Sequence, residues 1–357
     1  MDRRKFLQAT TLGGTGAVIA APALAQNRRT LTLVTTWGRG TDGVHDAAQH
    51  VADSISNMSD GALTVDLKAA GELVNAFDVF DTVTSGQVDM YHGPDYWFTG
   101  QHPAYAFFTT VPFGMTATEM AAWYYQGGGH ELHDRLGDIF KLKSFLAGNT
   151  GAQAGGWYRR LITGPETFQG LKVRMPGLGG KVMMELGAEV ITLPGSEVYE
   201  ALAAGTIDAT EWVGPWADEH AGFDDLVSYY YPAGFHEPAG GLSLAMNRDV
   251  FESLIPAHQR IVEVAAAETH QWSLSQFLSH NGRAMQRMRQ SSVTLAEFPA
   301  DVWDSFAAAA GRIHQEHRDD SLYAEVHDSY LRSMRASSSW LSASELPYRI
   351  QRDRLMG

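Results

Sequence analysis

Two short motifs contain side chains whose type and setting suit the binding of a small ionic ligand. In the first, Arg174 lies in an apolar stretch over residues 170–175 and is followed by Pro176 and Gly177. An arginine at a strand end beside a glycine loop can hold a carboxylate through two parallel N–H···O bonds. The alternative is an arginine that points to solvent or pairs with a nearby glutamate.

The second motif contains Glu211 and Trp212, between Gly205 and the pair Gly214-Pro215. A carboxylate oxygen in such a turn can ligate a hard cation, and the indole can cover an apolar face of a ligand. On pattern alone, a surface glutamate beside a core tryptophan is the better interpretation. Both interpretations stay open at this point.

Composition excludes several other kinds of site. The 357-residue chain has no cysteine, which rules out disulfides, thiolate metal sites and cysteine nucleophiles. A formal net charge of −14 without a cluster of Lys and Arg argues against a nucleic-acid partner. His130 and His133 lack the spacing of a zinc-protease helix, and His314 and His317 lie in a polar run typical of a solvated helix face. The sequence contains no G-x-S-x-G motif and no Walker loop.

Apolar periodicity predicts the elements that must position the two motifs. The predicted strands cover residues 31–37, 63–67, 88–90, 145–148, 171–175 and 189–193. The predicted helices cover residues 44–58, 75–85, 181–186, 198–203 and 256–290, with more helix from residue 300 onward. This βαβαβ opening predicts an α/β fold, with a parallel or mixed sheet covered by helices. Ligands of such sheets bind beyond the carboxyl ends of the strands.

The first 25 residues have the pattern of an export signal. Arg3-Arg4 is followed closely by Phe6-Leu7, as in a twin-arginine (Tat) signal, and then by a mildly apolar stretch over residues 9–20. Ala23-Leu24-Ala25 supplies a cleavage site. We therefore expect residues 1–25 to be removed and the mature protein to be periplasmic. The alternatives are an N-terminal membrane anchor or an accidental arginine pair, although the apolar stretch is too short and polar to span a membrane.

Several motifs together resemble one family along essentially the whole mature chain. The two specific motifs are GLKVRMPGLGGKV at residues 170–182 and GTIDATEWVGP at residues 205–215. Weaker matches are Gly71-Glu72-Leu73, the glycine triplet at 127–129 and the YYYP stretch at 229–232. The sequence resembles the extracytoplasmic solute-binding proteins of TRAP transporters, and within them the branch that binds α-keto acids and lactate.

The resemblance implies a two-lobed periplasmic solute-binding fold with a cleft between the lobes and long helices that span the hinge. It implies a first lobe of residues 26–150 plus about 238–275 and a second lobe of residues 151–237 plus about 276–300. The C-terminal helices, residues 300–357, would then form part of the hinge and reach a second subunit in a homodimer. The alternative is a monomer whose last helices pack on their own lobes.

The resemblance also implies the residues of the site. Those that contact the acid would be Arg174, Asn149, Gln153, Tyr96, Trp97 and Trp212. A bridging cation would be held by Gln153, Glu211, the backbone carbonyl of Trp212, and Glu237. The chemistry is coherent, because a 2-oxo or 2-hydroxy acid offers a carboxylate to the arginine and two neighbouring oxygens to a hard cation.

These features predict a binding protein without enzyme activity. It would capture a small 2-oxo or 2-hydroxy monocarboxylate, such as pyruvate or lactate, together with Na⁺ or Ca²⁺. It would then deliver the acid to the sodium-driven membrane permease subunits of the transporter. One alternative is the same role with a sugar acid or an aromatic acid. Another is a metal-dependent periplasmic enzyme acting on an organic acid, against which the lack of a catalytic signature counts.

Overall fold

The computed structural model describes residues 28–356, so the predicted signal segment lies outside the described residues. Its strands are β1 Arg29–Thr35, β2 Leu63–Lys68, β3 Met90–Gly93, β4 Leu142–Asn149, β5 Gly156–Tyr158, β6 Lys172–Arg174, β7 Glu189–Ile191, β8 Ala209–Thr210, β9 Tyr229–Tyr231, β10 Gly241–Asn247 and β11 Thr294–Leu295. Its helices are α1 Val44–Met58, α2 Val79–Thr84, α3 Ala106–Thr109, α4 Ala117–Gln126, α5 Gly129–Asp138, α6 Gly177–Glu185, α7 Val198–Ala203, α8 Pro215–Ala221, α9 Arg248–Glu252, α10 Pro256–Met288, α11 Ala300–Ile313, α12 Ser321–Ala343 and α13 Glu345–Met356.

The strands form two separate mixed sheets, one in each lobe. The first sheet has the order β2-β1-β3-β10-β4, with β1 parallel to β2 and β3, and with β10 antiparallel to both of its neighbours. The second sheet has the order β11-β9-β5-β8-β6-β7, in which β6 is parallel to β7 and β8. The predicted mixed α/β fold is therefore confirmed. The lobe boundaries remain a proposal, which this distribution of strands supports.

Two connections between the sheets run side by side and form part of the hinge. One links β4 to β5 over residues 150–155, and the other links β9 to β10 over residues 232–240. The N–H of Thr150 donates to the carbonyl of Gly240 at 3.0 Å, and the N–H of Gln153 donates to the carbonyl of Glu237 at 2.9 Å. These bonds fix the two connections to each other where they cross the cleft.

The long helix α10 spans both lobes. Pro256 occupies its first turn, where a missing N–H costs nothing. The helix packs on β4 and α1 of the first lobe and then on α8 of the second. Its Ser273 hydroxyl donates to the carbonyl of Asn149 at 3.1 Å, at the residue where β4 ends and the hinge connection begins. The predicted helix over 256–290 is thus confirmed, and it ends two residues earlier at Met288.

The three C-terminal helices, predicted together as residues 300–357, differ in where they pack. Helix α11 belongs to the second lobe, because Val302, Phe306 and Ile313 are part of its core. Helix α12 returns to the first lobe, where Tyr323 and Tyr330 pack into the core. In contrast, α13 buries none of its residues against the described part of the chain. None of the helices within residues 28–356 is both long enough and apolar enough for a membrane span.

Candidate functional site

Arg174 and Glu211 meet because they leave the ends of neighbouring parallel strands. Arg174 is the last residue of β6 and lies opposite Thr210, the last residue of β8, so Glu211 follows at the same edge of the sheet. The N–H of Glu211 donates to the carbonyl of Arg174 at 3.2 Å. Parallel strands place their carboxyl ends together, and this geometry brings the two sequence motifs into one site.

The guanidinium of Arg174 is buried between an acid and a backbone carbonyl. Only 4% of the residue is exposed. Its Nη1 donates to the carboxylate of Glu211, while Nε and Nη2 donate to the carbonyl of Leu193 at 3.3 and 3.2 Å. The guanidinium carbon lies 5.6 Å from the ring centre of Trp212. These contacts hold the Arg174 guanidinium, and with it the positive charge, in a fixed position in the wall of the cleft.

The hinge connections bring further oxygens to the same place. Gln153 lies on the first connection and Glu237 on the second, and both are buried. Neither Gln153 Oε1 nor Glu237 Oε2 has a hydrogen-bond partner among residues 28–356. A buried polar atom without a partner is costly, so native proteins satisfy nearly all of them with protein, water or an ion.

Negative charge accumulates at this point of the cleft. Each of Glu211, His236 and Glu237 has one side-chain atom that could bind a metal, and these three atoms lie within 4.8 Å of one another. Burial, and after it the charge of Glu211, raises the pKa of Glu237 well above its usual value, although Tyr96 and Arg174 act in the opposite sense. A hard cation would relieve this repulsion, because two carboxylates and an amide oxygen are the donors that Na⁺ and Ca²⁺ prefer. The residues present therefore fit a bound cation.

Aromatic side chains from the first lobe close the other side of the cavity. Tyr96 and Trp97 lie in the turn that follows β3, and Trp97 packs against Trp37 with ring centres 5.7 Å apart. Across the cleft, Gly177 has a left-handed backbone (φ +64°), and a Cβ there would lie 3.3 Å from the Tyr96 ring. The two lobes thus approach each other closely around a small cavity of about 40 Å³.

The structure brings seven of the eight expected site residues to this cavity. They are Tyr96, Trp97, Gln153, Arg174, Glu211, Trp212 and Glu237. Asn149 lies apart from them. Its Oδ1 accepts from the N–H of Gly151 at 2.8 Å, and its Nδ2 lies 3.4 Å from His270 Nε2. The carboxamide therefore has its contacts within the protein, at the end of β4. A contact between Asn149 and a ligand stays a prediction.

Sequence reasoning missed several residues at the site, above all His236, which lies beside Glu211 and Glu237. This imidazole is 1% exposed, its Nε2 lies 3.6 Å from Glu211 Oε2, and neither ring nitrogen is hydrogen-bonded within the described chain. The sequence feature that could have indicated His236 is its position next to Glu237, in a stretch rich in glycine and proline. Sequence reasoning missed four residues of the cavity wall as well, because nothing in their local pattern distinguishes them from core residues: Trp37, Thr109, Thr150 and Leu242.

Sequence reasoning also missed a glycine pattern in the loop between β1 and α1. Gly38, Gly40 and Gly43 have the G-x-G-x-x-G spacing of dinucleotide-binding loops. The structure gives this spacing another cause. Asp46 Oδ2 accepts from the N–H of Gly43 at 3.0 Å, and a Cβ on Gly43 would lie 2.3 Å from the Phe277 ring. An acid at this helix start disfavours a phosphate, and close packing against α10 explains the last glycine.

A comparison with protein-family models identifies the chain. Residues 34–320 match the DctP model, described as bacterial extracellular solute-binding protein, family 7. The chain belongs to the DctP family. The predicted resemblance is thereby confirmed, and the match includes both of the motifs from which the site is built.

A named relative of this DctP protein agrees with the family assignment. A monocarboxylate 2-oxoacid-binding periplasmic protein of Nostoc sp. is 35% identical over 317 residues, which cover 88% of this chain and 87% of the relative.

Two solved TRAP periplasmic solute-binding proteins share the fold of this DctP protein. The protein from Pseudoalteromonas atlantica T6c, with bound sodium and pyruvate, is 36% identical with a TM-score of 0.87, over 90% of this chain and 98% of that one. The protein from Colwellia psychrerythraea, with bound calcium and pyruvate, is 35% identical with a TM-score of 0.88, over 91% of this chain and 99% of that one. This DctP protein is thus an extracytoplasmic solute-binding protein with the two-lobed fold of that family.

Proposed function

We propose that this protein captures a small 2-oxo or 2-hydroxy monocarboxylate, pyruvate-like or lactate-like, in the cleft together with a bridging Na⁺ or Ca²⁺. It then delivers the acid to the sodium-driven permease of a TRAP transporter. The observation that carries the proposal is the meeting of buried Arg174 with two unsatisfied oxygens, Gln153 Oε1 and Glu237 Oε2, among the described residues. The solutes of the related structures, pyruvate with sodium or with calcium, support the same combination.

The proposed roles follow from the charges that the site already contains. Arg174 takes the ligand carboxylate, for which its planar fork is suited. Glu211, Glu237, Gln153 and the carbonyl of Trp212 hold the cation, which supplies positive charge between the acids and the ligand. Because Glu211 also pairs with Arg174, a cation on Glu211 weakens that pair and frees the guanidinium for the ligand. Cation and acid then assist each other's binding.

Calorimetric titration of the mature protein, residues 26–357, tests the proposal. Pyruvate, lactate, galacturonate and benzoate are each added in sodium buffer, with Ca²⁺, and after removal of both ions. We expect saturation by pyruvate or lactate at one acid per chain, and loss of binding without the cation. A response to galacturonate or benzoate alone would retain the transporter role and contradict the proposed class of acid. Recovery of a chemically altered acid, followed by NMR, would instead indicate an enzyme.

The amide variant Glu211→Gln tests the bridging ion. Since the two ligands stabilise each other, the variant should lose about tenfold or more in affinity for both the cation and the acid, because coupling between sites is reciprocal. Glu252→Gln, at an exposed position on α9, is the matched control and should bind as the wild type does. Loss of cation affinity with unchanged acid affinity would contradict a bridging ion.

Two further features belong to the same proposal. The Arg3-Arg4 motif supports export by the Tat pathway, which places the protein in the periplasm. The exposed helix α13 supports a homodimer, because it carries large apolar side chains that the described chain leaves uncovered. N-terminal sequencing of the secreted protein would test the first feature by showing whether the mature chain begins at Gln26.

A further inference from the structure

A buried histidine lies behind the wall of the cleft. His92 is the third residue of β3 and is completely buried in the first lobe. One of its ring nitrogens contacts a side chain of the cavity wall, and the other contacts the strand that leads into the hinge. The imidazole therefore joins two parts of the molecule on which ligand binding depends.

The first partner of His92 is the indole of Trp37, which lines the cavity that holds Arg174. Trp37 Nε1 donates to His92 Nδ1 at 3.3 Å, and the Trp37 ring centre lies 5.7 Å from that of Trp97. The backbone of Trp37 is fixed separately, because the N–H of Ala70 donates to its carbonyl at 2.9 Å. With the backbone fixed, the bond to His92 determines how the indole is turned.

The second partner of His92 is the carbonyl of Ala147 in β4. The register between β10 and β4 shifts from Gly241 to Ser243, so two residues of β4 oppose one residue of β10. This is a β-bulge, which bends the strand and redirects its backbone groups. The Ala147 carbonyl lies in the bulge, 3.2 Å from His92 Nε2. The imidazole is thereby anchored to β4 just before the hinge.

The two partners determine which ring nitrogen of His92 carries the hydrogen. A carbonyl only accepts and an indole N–H only donates, so Nε2 bears the hydrogen and Nδ1 is unprotonated. Burial is the largest effect on His92 and lowers its pKa to about 4, although the bond to the Ala147 carbonyl acts in the opposite sense. The neutral ring with its hydrogen on Nε2 satisfies both partners, and a ring with its hydrogen on Nδ1 satisfies neither.

We propose that His92 is a positioning residue for ligand binding, because its Nδ1 holds the Trp37 indole in the orientation that the bound acid contacts. The inference rests on the proposed function, since Trp37 matters to binding only if the acid occupies the cavity beside Arg174. His92 is itself absent from the described residues that line the cavity. Its effect on the acid therefore passes through Trp37.

Two carboxamide variants separate the two contacts of His92. The carboxamide of His92→Asn reaches the place of Nδ1, so its oxygen can still accept from Trp37. The longer side chain of His92→Gln reaches the place of Nε2, so its amide can still donate to Ala147 while the indole N–H loses its acceptor. We expect His92→Gln to bind pyruvate about tenfold more weakly, the effect of one unpaired buried donor, and His92→Asn to stay within about twofold of the wild type.

Thermal unfolding separates positioning from a merely structural role. Each variant leaves one buried polar group without its partner, so the midpoints of unfolding of His92→Asn and His92→Gln should fall by similar amounts. Only the affinities for pyruvate should differ. His258→Gln, at the start of α10, is the matched control and should bind pyruvate as the wild type does.

The indole N–H of Trp37 reports its orientation directly. Labelling with nitrogen-15 tryptophan gives nine indole signals in the NMR spectrum, one for each tryptophan of the chain, and Trp37→Phe identifies the signal of Trp37 by its absence. This signal should keep its position in His92→Asn and move upfield in His92→Gln, where the hydrogen bond is lost. In the Trp37→Phe background, His92→Gln should cause no further loss of affinity, because the two residues act through one contact.

Three results would overturn the inference. They are equal affinities of His92→Asn and His92→Gln for pyruvate, an unmoved Trp37 signal in His92→Gln, and a full additional loss of affinity from His92→Gln in the Trp37→Phe background. If His92→Gln does not fold, the nitrogen-15 shifts of His92 in the wild type decide, since a hydrogen on Nδ1 would contradict the bond from Trp37. In each case, pyruvate binding by the wild type would leave the proposed function intact. If the wild type binds none of the 2-oxo acids, the proposed function itself fails, so the two failures are distinguishable.

Discussion

The setting of the Arg174 guanidinium determines what its replacement would do. Its charge balances Glu211 in a buried ion pair, and removal of one partner from such a pair leaves an uncompensated buried charge. Arg174→Ala therefore perturbs the fold as well as the binding. Lysine keeps the charge but replaces the planar fork by a single ammonium group. The lysine variant is thus the more informative one.

We expect Arg174→Lys to lower the affinity for the acid by about a hundredfold, because the bidentate contact with the carboxylate is lost. The midpoint of thermal unfolding should change much less, since Glu211 keeps a positive partner. Calorimetric titration and a thermal melt measure the two effects. Arg39→Lys, in an exposed ion pair with Glu72, serves as the control. Wild-type affinity in Arg174→Lys would contradict the assignment of the carboxylate to this residue.

Asp218 stabilises the backbone that follows Glu211 and Trp212, two of the proposed cation ligands. Its carboxylate accepts from the N–H groups of Val213 and Gly214 at 3.2 and 2.9 Å, and from Trp157 Nε1 at 3.1 Å. Complete burial is the largest effect on it and raises the pKa of Asp218 to about 7, although these hydrogen bonds act in the opposite sense. Between about pH 4 and 7, the folded protein therefore keeps a proton that the unfolded chain has lost.

This proton gives a testable dependence of stability on pH. Because the folded state binds more protons, the contribution of Asp218 to the free energy of unfolding decreases as pH rises from about 4 to 7, and it is constant above that. Asp218→Asn lacks this contribution, so the free energy of unfolding of the wild type should fall relative to the variant over that interval. Urea denaturation at several pH values measures the difference. Asp304→Asn, on the exposed face of α11, is the control and should show no such trend relative to the wild type. If the free energies of unfolding of the wild type and Asp218→Asn changed in parallel with pH, the raised pKa of Asp218 would be contradicted.

The sequence predicted the charged residues of the site better than the residues around them. Arg174 could be found because a loop with proline and glycine follows the predicted strand that contains it, and Glu211 because it lies in a predicted turn between Gly205 and Gly214-Pro215. His236 could not be separated from a core histidine, since its burial depends on how the second hinge connection crosses the cleft. The contacts of Asn149 could not be predicted either, because a polar side chain at a strand end can bind a ligand or hydrogen-bond the nearby backbone.

The two paired hinge connections position Gln153 and Glu237, two of the proposed cation ligands, and the closeness of the connections depends on one glycine. A Cβ on Gly240 would lie 2.3 Å from Thr150 Oγ1 and 2.9 Å from Gln153 Nε2. Any side chain at this position must therefore shift the Thr150 hydroxyl and the amide of Gln153. The backbone there has no positive φ, so the requirement for glycine comes from space alone.

Gly240→Ala should reduce the affinity for the cation by about tenfold or more, because Gln153 loses its position, while the protein still folds. Cation titration followed by tryptophan fluorescence measures the effect. Gly282→Ala is the matched control, since that glycine lies in α10 with open space around its Cβ position. It should stabilise the helix slightly and leave binding unchanged. Equal affinities in the two variants would show that Gln153 does not hold the cation.

Helices and strands differed in how well the sequence predicted them. Helix α1 was predicted with its observed bounds because Val44, Val51 and Ile55 recur on one buried face. Strand β10 was not predicted, since all seven of its residues are buried and the alternation that marks a half-exposed strand is absent. Strands of two or three residues, such as β8 and β9, are too short to show any period.

In the whole molecule, the proposed homodimer can be tested at α13. Leu346, Tyr348, Ile350 and Leu355 are each more than half exposed on this helix. A chain that ends at residue 344 should be monomeric by size-exclusion chromatography with light scattering, and it should keep full affinity for the acid because α13 lies apart from the cleft residues. A monomeric full-length protein, or a truncated chain that remains dimeric, would contradict the proposed role of this helix.

The middle position of β10 in the first sheet has a consequence for how the chain reaches its native state. Strand β10 lies between β3 and β4, yet it begins at Gly241, after the whole second sheet except β11 has been passed. A ribosome that has released only the residues up to β4 exposes two strands with unpaired edges, which other chains can join. Such long-range pairing also slows folding. A fragment that ends before β10 therefore lacks the strand that joins β3 to β4, and its open strand edges favour aggregation until β10 has emerged.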